Sequence, residues 1–359
     1  MDTRKPHAKK GAVVSELLPE EIKRYINEDL RPALEELEGD QRRRQRWVVI
    51  AAGVMTTAAI VGLAGYLMSL QGAPMGWVDW AVALGIVGLT GGVLHLCFYG
   101  LLVRGREEEF SERVLRPLLE YQYGEVKVVE ERREQERMLK EELCQWSVDR
   151  FGGGELYEVQ RDSRPVGIQE VEATMRVRLG GEKRPQEKSC YQLRGWVMAR
   201  RWAVKGADDV VVSVMPRGGG EERREVKTLD GEVLEARSAG GLAVVPWSPE
   251  RAEEAMRPLH LPHVEFDDLC EVWTNDVAAA RGLIGEPMVE ALSRAAKMWR
   301  HAEGRGYFHL LISGGQVMLW WPRVTTVAEV RFLDLGEQTE WLVEWARDIG
   351  AAARILDAA

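Results

Sequence analysis

His260, His263, Glu265, Asp267, Asp268 and Cys270 form the one local crowd of potential metal ligands in the sequence. Zinc sites mix these residue types, but structural sites pair Cys and His more tightly. Here the two histidines flank Pro262 in a linker, and the acids read as lying on a strand whose faces alternate, so the set does not converge. The segment reads as an ordinary strand entry, with no metal and no cofactor expected. Gly218-Gly219-Gly220 reads as a turn, since the Lys and Ser/Thr of a phosphate loop do not follow it. Gly-x-Ser-x-Gly elbows, dinucleotide glycine patterns and His-Glu-x-x-His are absent. Cys97, Cys144, Cys190 and Cys270 are far apart, and no disulfide is expected. No catalytic residue stands out, so a non-enzymatic protein is expected, with an unrecognised enzyme as an alternative.

The elements that would position any site are unevenly apolar. The chain has 359 residues, 45% of them hydrophobic, which is enough for a sizeable core. Between Trp47 and Val103 the sole formal charge is Asp79. The runs 47–70 and 77–103 each match the length needed to cross the ~30 Å hydrocarbon layer at ~1.5 Å per residue. The intervening Gln71-Gly72-Ala73-Pro74-Met75-Gly76 reads as a short turn, so the expectation is a two-helix transmembrane hairpin. Too long and too far into the chain for a signal peptide, the first run is not expected to be cleaved.

Arg42, Arg43, Arg44 and Arg46 precede the first run, and Arg104, Arg106, Arg113 and Arg116 follow the second, against no Lys or Arg in the turn. The positive-inside bias then places both termini in the cytoplasm, with the arginine cluster drawn to anionic membrane lipid. Trp47, Trp77 and Trp80 sit where interfacial rings are favoured. Ala58 and Gly62, with Gly85, Gly88 and Gly92, make small-residue stripes that let helix backbones approach closely. They read as packing of the hairpin on itself, with a homo-oligomer seam as the alternative. Asp79 lies near the outer boundary, and His95 has no ionisable partner at its level, which argues against transport.

The whole chain carries a net charge of -9, and all of that excess falls after the second run, because the earlier charges cancel. An acidic surface is a poor match for phosphate, so no nucleic-acid partner is expected. Leu18, Ile22, Tyr25, Ile26, Leu30, Leu34 and Leu37 recur at helical spacing in an amphipathic arm. A helical continuation through Phe110, Val114, Leu118 and Tyr121 precedes the charged run Glu130–Glu142, which reads as solvated helix with the option of a short coiled-coil contact. After Phe151 the period shifts toward two. Leu156–Gln160, Val171–Leu179, Cys190–Trp202 and Val210–Met215 read as strands, and Gly314-Gly315 between Tyr307–Ser313 and Gln316–Trp321 marks a β-hairpin. Pro287 opens a helix through Met288, Leu292, Ala295, Ala296 and Trp299, and a final helix places Trp341, Leu342, Trp345, Ile349 and Leu356 on one stripe.

The segment Glu265–Trp273, with Asn275-Asp276 and Ala278-Ala279-Ala280-Arg281-Gly282-Leu283-Ile284, resembles the bacterial family called domain of unknown function 3137. Pro287–Leu292 matches its proline-started helix, Leu193-Arg194-Gly195-Trp196-Val197 its aromatic-flanked glycine strand, and Tyr307–Trp321 its late hairpin. The resemblance spans roughly residues 100 to 357 and rests on pattern order. Around Phe151–Glu172 an acidic turn common in that family is not recognisable. The resemblance implies a bacterial inner-membrane protein with a cytoplasmic α+β domain. It brings no catalytic residues, and it suggests by association a small membrane-anchored helical partner of the LemA type.

The expected architecture is therefore α+β, with an amino-terminal two-helix transmembrane hairpin followed by a cytoplasmic mixed α+β domain. Its boundaries are an amphipathic arm (1–46), the hairpin (47–103), a helical connector (104–150) and the α+β domain (151–359). The expected localisation is the inner membrane, multi-pass. The expected function is non-enzymatic recruitment or organisation of a protein partner, with a membrane-coupled ligand or stress sensor as the first alternative.

Overall fold

The computed structural model describes residues 19–70, 85, 88, 107–130, 133–161, 164–179, 186–201, 209–217, 223–228, 232–239, 242–245, 247–249, 252, 255–301, 307–323, 325–330 and 333–359. Helix α1 (Pro19–Tyr25) runs through a π-helical turn (Ile26–Leu30) into α2 (Arg31–Leu70). A second π-helical turn (Ser111–Leu115) precedes α3 (Arg116–Tyr123), β1 (Val126–Val129), α4 (Arg133–Leu143), β2 (Arg150–Arg161), β3 (Arg164–Leu179) and β4 (Gln186–Arg201). Then come β5 (Val212–Pro216), β6 (Arg223–Thr228), β7 (Val233–Ala239), β8 (Leu242–Val244), β9 (Arg257–Leu259), α5 (Val264–Leu269), β10 (Cys270–Thr274) and α6 (Val277–Leu283). The chain ends with α7 (Glu286–His301), β11 (His309–Ser313), β12 (Gln316–Pro322), α8 (Val327–Val330) and α9 (Leu335–Ala358). It divides into two compact units, one of residues 1–24, 116–326 and 340–359, the other of residues 25–115 and 327–339.

The larger unit is mostly antiparallel sheet plus helices. Twelve strands are joined in the order β1-β2-β3-β6-β7-β8-β4-β12-β11-β5-β10-β9, and β3 also pairs directly with β4. That extra pairing closes β3, β6, β7, β8 and β4 into a ring, through Val177↔Thr228, Tyr191↔Val244 and Met175↔Cys190. The resulting small barrel buries Met175, Val177, Cys190, Val226, Leu234 and Ala236 and leaves these strands few free edges. Among the described residues every pairing is antiparallel except β4 with β8.

The hairpin β11–β12 forms around Gly314 and Gly315, whose φ values of 55° and 69° lie where L side chains are disfavoured. Its strands are apolar on both faces because both faces are covered. On one face Trp320 pairs in register with Val197 and packs with Met318, Leu311, Leu139 and Leu143, the last two from α4. On the other, Trp321 pairs with Trp196, stacks on Trp299 of α7 at 6.0 Å, and Trp196 meets Trp345 of α9 edge-on at 5.2 Å.

A buried charged node completes this second face. Trp299 Nε1 donates to Asp348 Oδ1 at 3.1 Å, while the guanidinium of Arg323 lies 3.7 Å from carboxylate oxygens of Asp348 and Glu344. The same guanidinium sits 4.7 Å above the Trp341 ring, a cation–π contact that suits a planar cation. Gly195 pairs with Pro322 at the end of β12. A Cβ there would stand 2.1 Å from the Trp321 carbonyl oxygen, so the backbones touch only because residue 195 has none.

In the smaller unit, Ile26, Leu30 and Leu34 are buried at four-residue steps, and so are Phe110 and Val114. Arg113 forms ion pairs with Glu36 and Glu109, and the Glu36 hydrogen bond raises the guanidinium pKa. Asp334 and Glu337 cap α9 reciprocally: the Glu337 N–H donates to Asp334 Oδ1 at 2.9 Å and the Asp334 N–H to Glu337 Oε2 at 3.1 Å.

The transmembrane hairpin expected from the sequence is overturned. Among the described residues no helix is long and apolar enough to cross a membrane. The run 47–70 is not an element of its own but the second part of the 40-residue α2. The first part of α2 carries Glu35, Glu36, Glu38, Asp40, Arg42, Arg43 and Arg46, and averaged along its length the helix is scarcely apolar. Of the second run, residues other than Gly85 and Gly88 lie outside the described residues, as do Arg104 and Arg106. The transmembrane fold class and the multi-pass inner-membrane localisation fall with the hairpin.

Candidate functional site

Of the residues singled out as potential metal ligands, His260, His263, Glu265 and Asp267 are engaged with α5 and its surroundings. His263 precedes the helix, and its Nδ1 accepts from the Phe266 N–H at 3.2 Å, an N-cap. Asp267 Oδ1 accepts from the Leu261 N–H at 3.4 Å, and its other oxygen lies 3.5 Å from His260 Nδ1. Glu265 pairs with Lys297 of α7, whose hydrogen bond holds that carboxyl below the usual carboxylate range. Asp268 is exposed, and Cys270 is buried at the start of β10. Among the described residues no group of three or more His, Cys, Asp or Glu is placed to hold a metal ion. The acids lie on a helix, not on the strand that the sequence suggests, because the strand begins at Cys270.

Cys144, Cys190 and Cys270 are free thiols. Burial pushes Cys144 up to about 12 and raises Cys190, so neither is a thiolate nucleophile at neutral pH.

A nucleophile–base pair that sequence reading missed lies on β5 and β11. Ser213 Oγ and His309 Nε2 are 3.0 Å apart, on strands that pair antiparallel. Burial lowers the His309 pKa to about 3, so the ring is neutral, and the Trp247 ring lies 5.1 Å from it. Such a pair can hand a proton from hydroxyl to imidazole. Here both side chains are sealed, with 0% exposure for Ser213 and 2% for His309. No substrate reaches them, and the pair serves to satisfy two polar groups in the core. The available signal was Ser213 within the apolar run of β5 and His309 at the start of the apolar run of β11.

An accessible concave surface opens instead where α4 crosses the sheet. It encloses about 500 Å³, with Glu134, Gln135 and Glu141 of α4 on one side and Glu158, Gly167 and Arg201 of the sheet on the other. Leu139 and Leu143 anchor the helix in the core. Gly167 sets the floor: a Cβ there would stand 3.0 Å from Gln135 Nε2 and 3.4 Å from Leu156 Cδ1. Arg201 and Gln316 are register partners across β4 and β12, which brings the end of the hairpin to the same groove. Carboxylates and guanidinium groups of both signs line the walls, next to the apolar Met138 and Leu156. None of these residues is expected from the sequence to form a site: Glu130–Glu142 reads as solvated helix surface with Met138, Leu139 and Leu143 as its modest apolar face.

Among the residues proposed to pack helices, Gly62 and Gly85 lie against one another, since a Cβ on Gly85 would come within 2.9 Å of Gly62 Cα. Ala58 is half-buried and Gly88 is buried, while Gly92 lies outside the described residues. Arg42 donates to Glu38 at 2.7 Å one turn earlier on α2, and Arg43 and Arg46 are exposed.

No family model matches the chain, and no curated protein matches it. Among solved structures it shows a likeness to the mycobacterial trehalose monomycolate transport factor A, at a TM-score of 0.28 and 13% identity, covering 59% of this chain and 82% of that one. A likeness at that score carries no argument about fold or function.

Proposed function

We propose that the larger unit is a non-enzymatic recruitment module whose groove beneath α4 receives a segment of a protein partner. The observation that carries this reading is the chemistry of the groove walls. A volume of about 500 Å³ falls within the range of small-molecule pockets, but those are lined mainly by apolar and aromatic side chains around a few polar groups. Charges of both signs spread along an open groove suit the alternating side chains of a polypeptide, where complementary pairs set register and orientation. Among the described residues the groove walls carry no Ser, Cys or His, and the Ser213–His309 pair is sealed in the sheet interior, which favours binding over catalysis.

The test is site-specific photo-crosslinking of the full-length chain in its native cells, with the photoreactive residue at Gln316 in the groove and, as a control, at Arg281 on α6. One polypeptide captured from position 316 and not from 281, and lost when Glu158→Arg and Arg201→Glu are introduced together, is the expected result. The double variant must unfold at the same denaturant midpoint as the parent. Identical products from both positions, or a groove product that survives the charge reversal, overturns the proposal.

A further inference from the structure

We draw no further inference here: the strongest candidate, the exposed apolar side chains of α2 at Trp47, Ile50, Val54, Ile60, Leu63 and Leu67, carries nothing because nothing in the structure shows what covers them.

Discussion

Ser213 Oγ lies 3.0 Å from His309 Nε2 in the interior of the sheet, a hydroxyl and an imidazole that satisfy one another out of reach of water. The arrangement ties the stability of the larger unit to pH. The folded pKa of His309, about 3, lies below the value of 6.5 for an exposed imidazole, so the unfolded chain binds the extra proton. Stability from this group is fully present above pH ~6.5 and is lost as pH falls toward 3, at up to ~1.4 kcal/mol per pH unit. Urea midpoints measured between pH 7 and 4 should fall more steeply for the parent than for His309→Phe. Parallel slopes would show that His309 contributes nothing to acid sensitivity.

Asp348 holds both Trp299 and Arg323, so removing its charge takes the buried carboxylate away from the buried Arg323 guanidinium and leaves it the half-exposed Glu344 at 3.7 Å. Asp348→Ala is expected to cost ~3–5 kcal/mol, the range for breaking a buried pair from one side. Trp299→Phe, which deletes one hydrogen bond to a charged acceptor, should cost ~1.5–3 kcal/mol. Replacing both charges, Arg323→Met with Asp348→Leu, should be milder than Asp348→Ala alone. Denaturant unfolding of the three variants checks the order.

Gly195→Ala should prevent the β4–β12 pairing from closing. The added carbon would meet three backbone atoms, the Trp321 oxygen at 2.1 Å, the Arg323 nitrogen at 2.8 Å and the Pro322 Cα at 2.8 Å, none of which can rotate away. A loss of ~3 kcal/mol or more is expected, at the upper end of overpacking effects. Gly152→Ala, where an added Cβ meets nothing within 4 Å, serves as the control and should stay within ~0.5 kcal/mol. Thermal melts by circular dichroism distinguish the two.

Gly85 and Gly53 make a contrast of sign in the smaller unit. Gly85→Leu forces apart the backbones that meet at Gly62 and should destabilise by ~1–3 kcal/mol. Gly53→Ala adds a methyl group to an open helix position and should stabilise by ~0.5–1 kcal/mol. Limited proteolysis of the full chain, with cleavage sites between residues 25 and 115 scored separately, reads both effects.

Local pattern alone determined the β11–β12 hairpin, since Gly314-Gly315 demands positive φ and the runs 310–312 and 317–321 on either side are apolar. It also determined the strands Val210–Met215 and Cys190–Trp202 to within a few residues, the Pro287 helix start and the tryptophan stripe of α9. These features depend on neighbours within a turn or two, where backbone preference and hydrophobic period act directly. A charge-free run misled for the same reason: a local window over residues 47–70 does not register that they continue a charged helix beginning at Arg31. Tertiary structure decided what lies far apart in the chain. It separated the acids of residues 265–268 from a common centre by turning them into a helix, closed β3, β6, β7, β8 and β4 into a barrel, and set Ser213 beside His309 across 96 positions of sequence. It also laid α4 over Gly167, which makes the groove. Strand register and the packing of both sheet faces select such pairs, and neither is encoded in any short stretch of sequence.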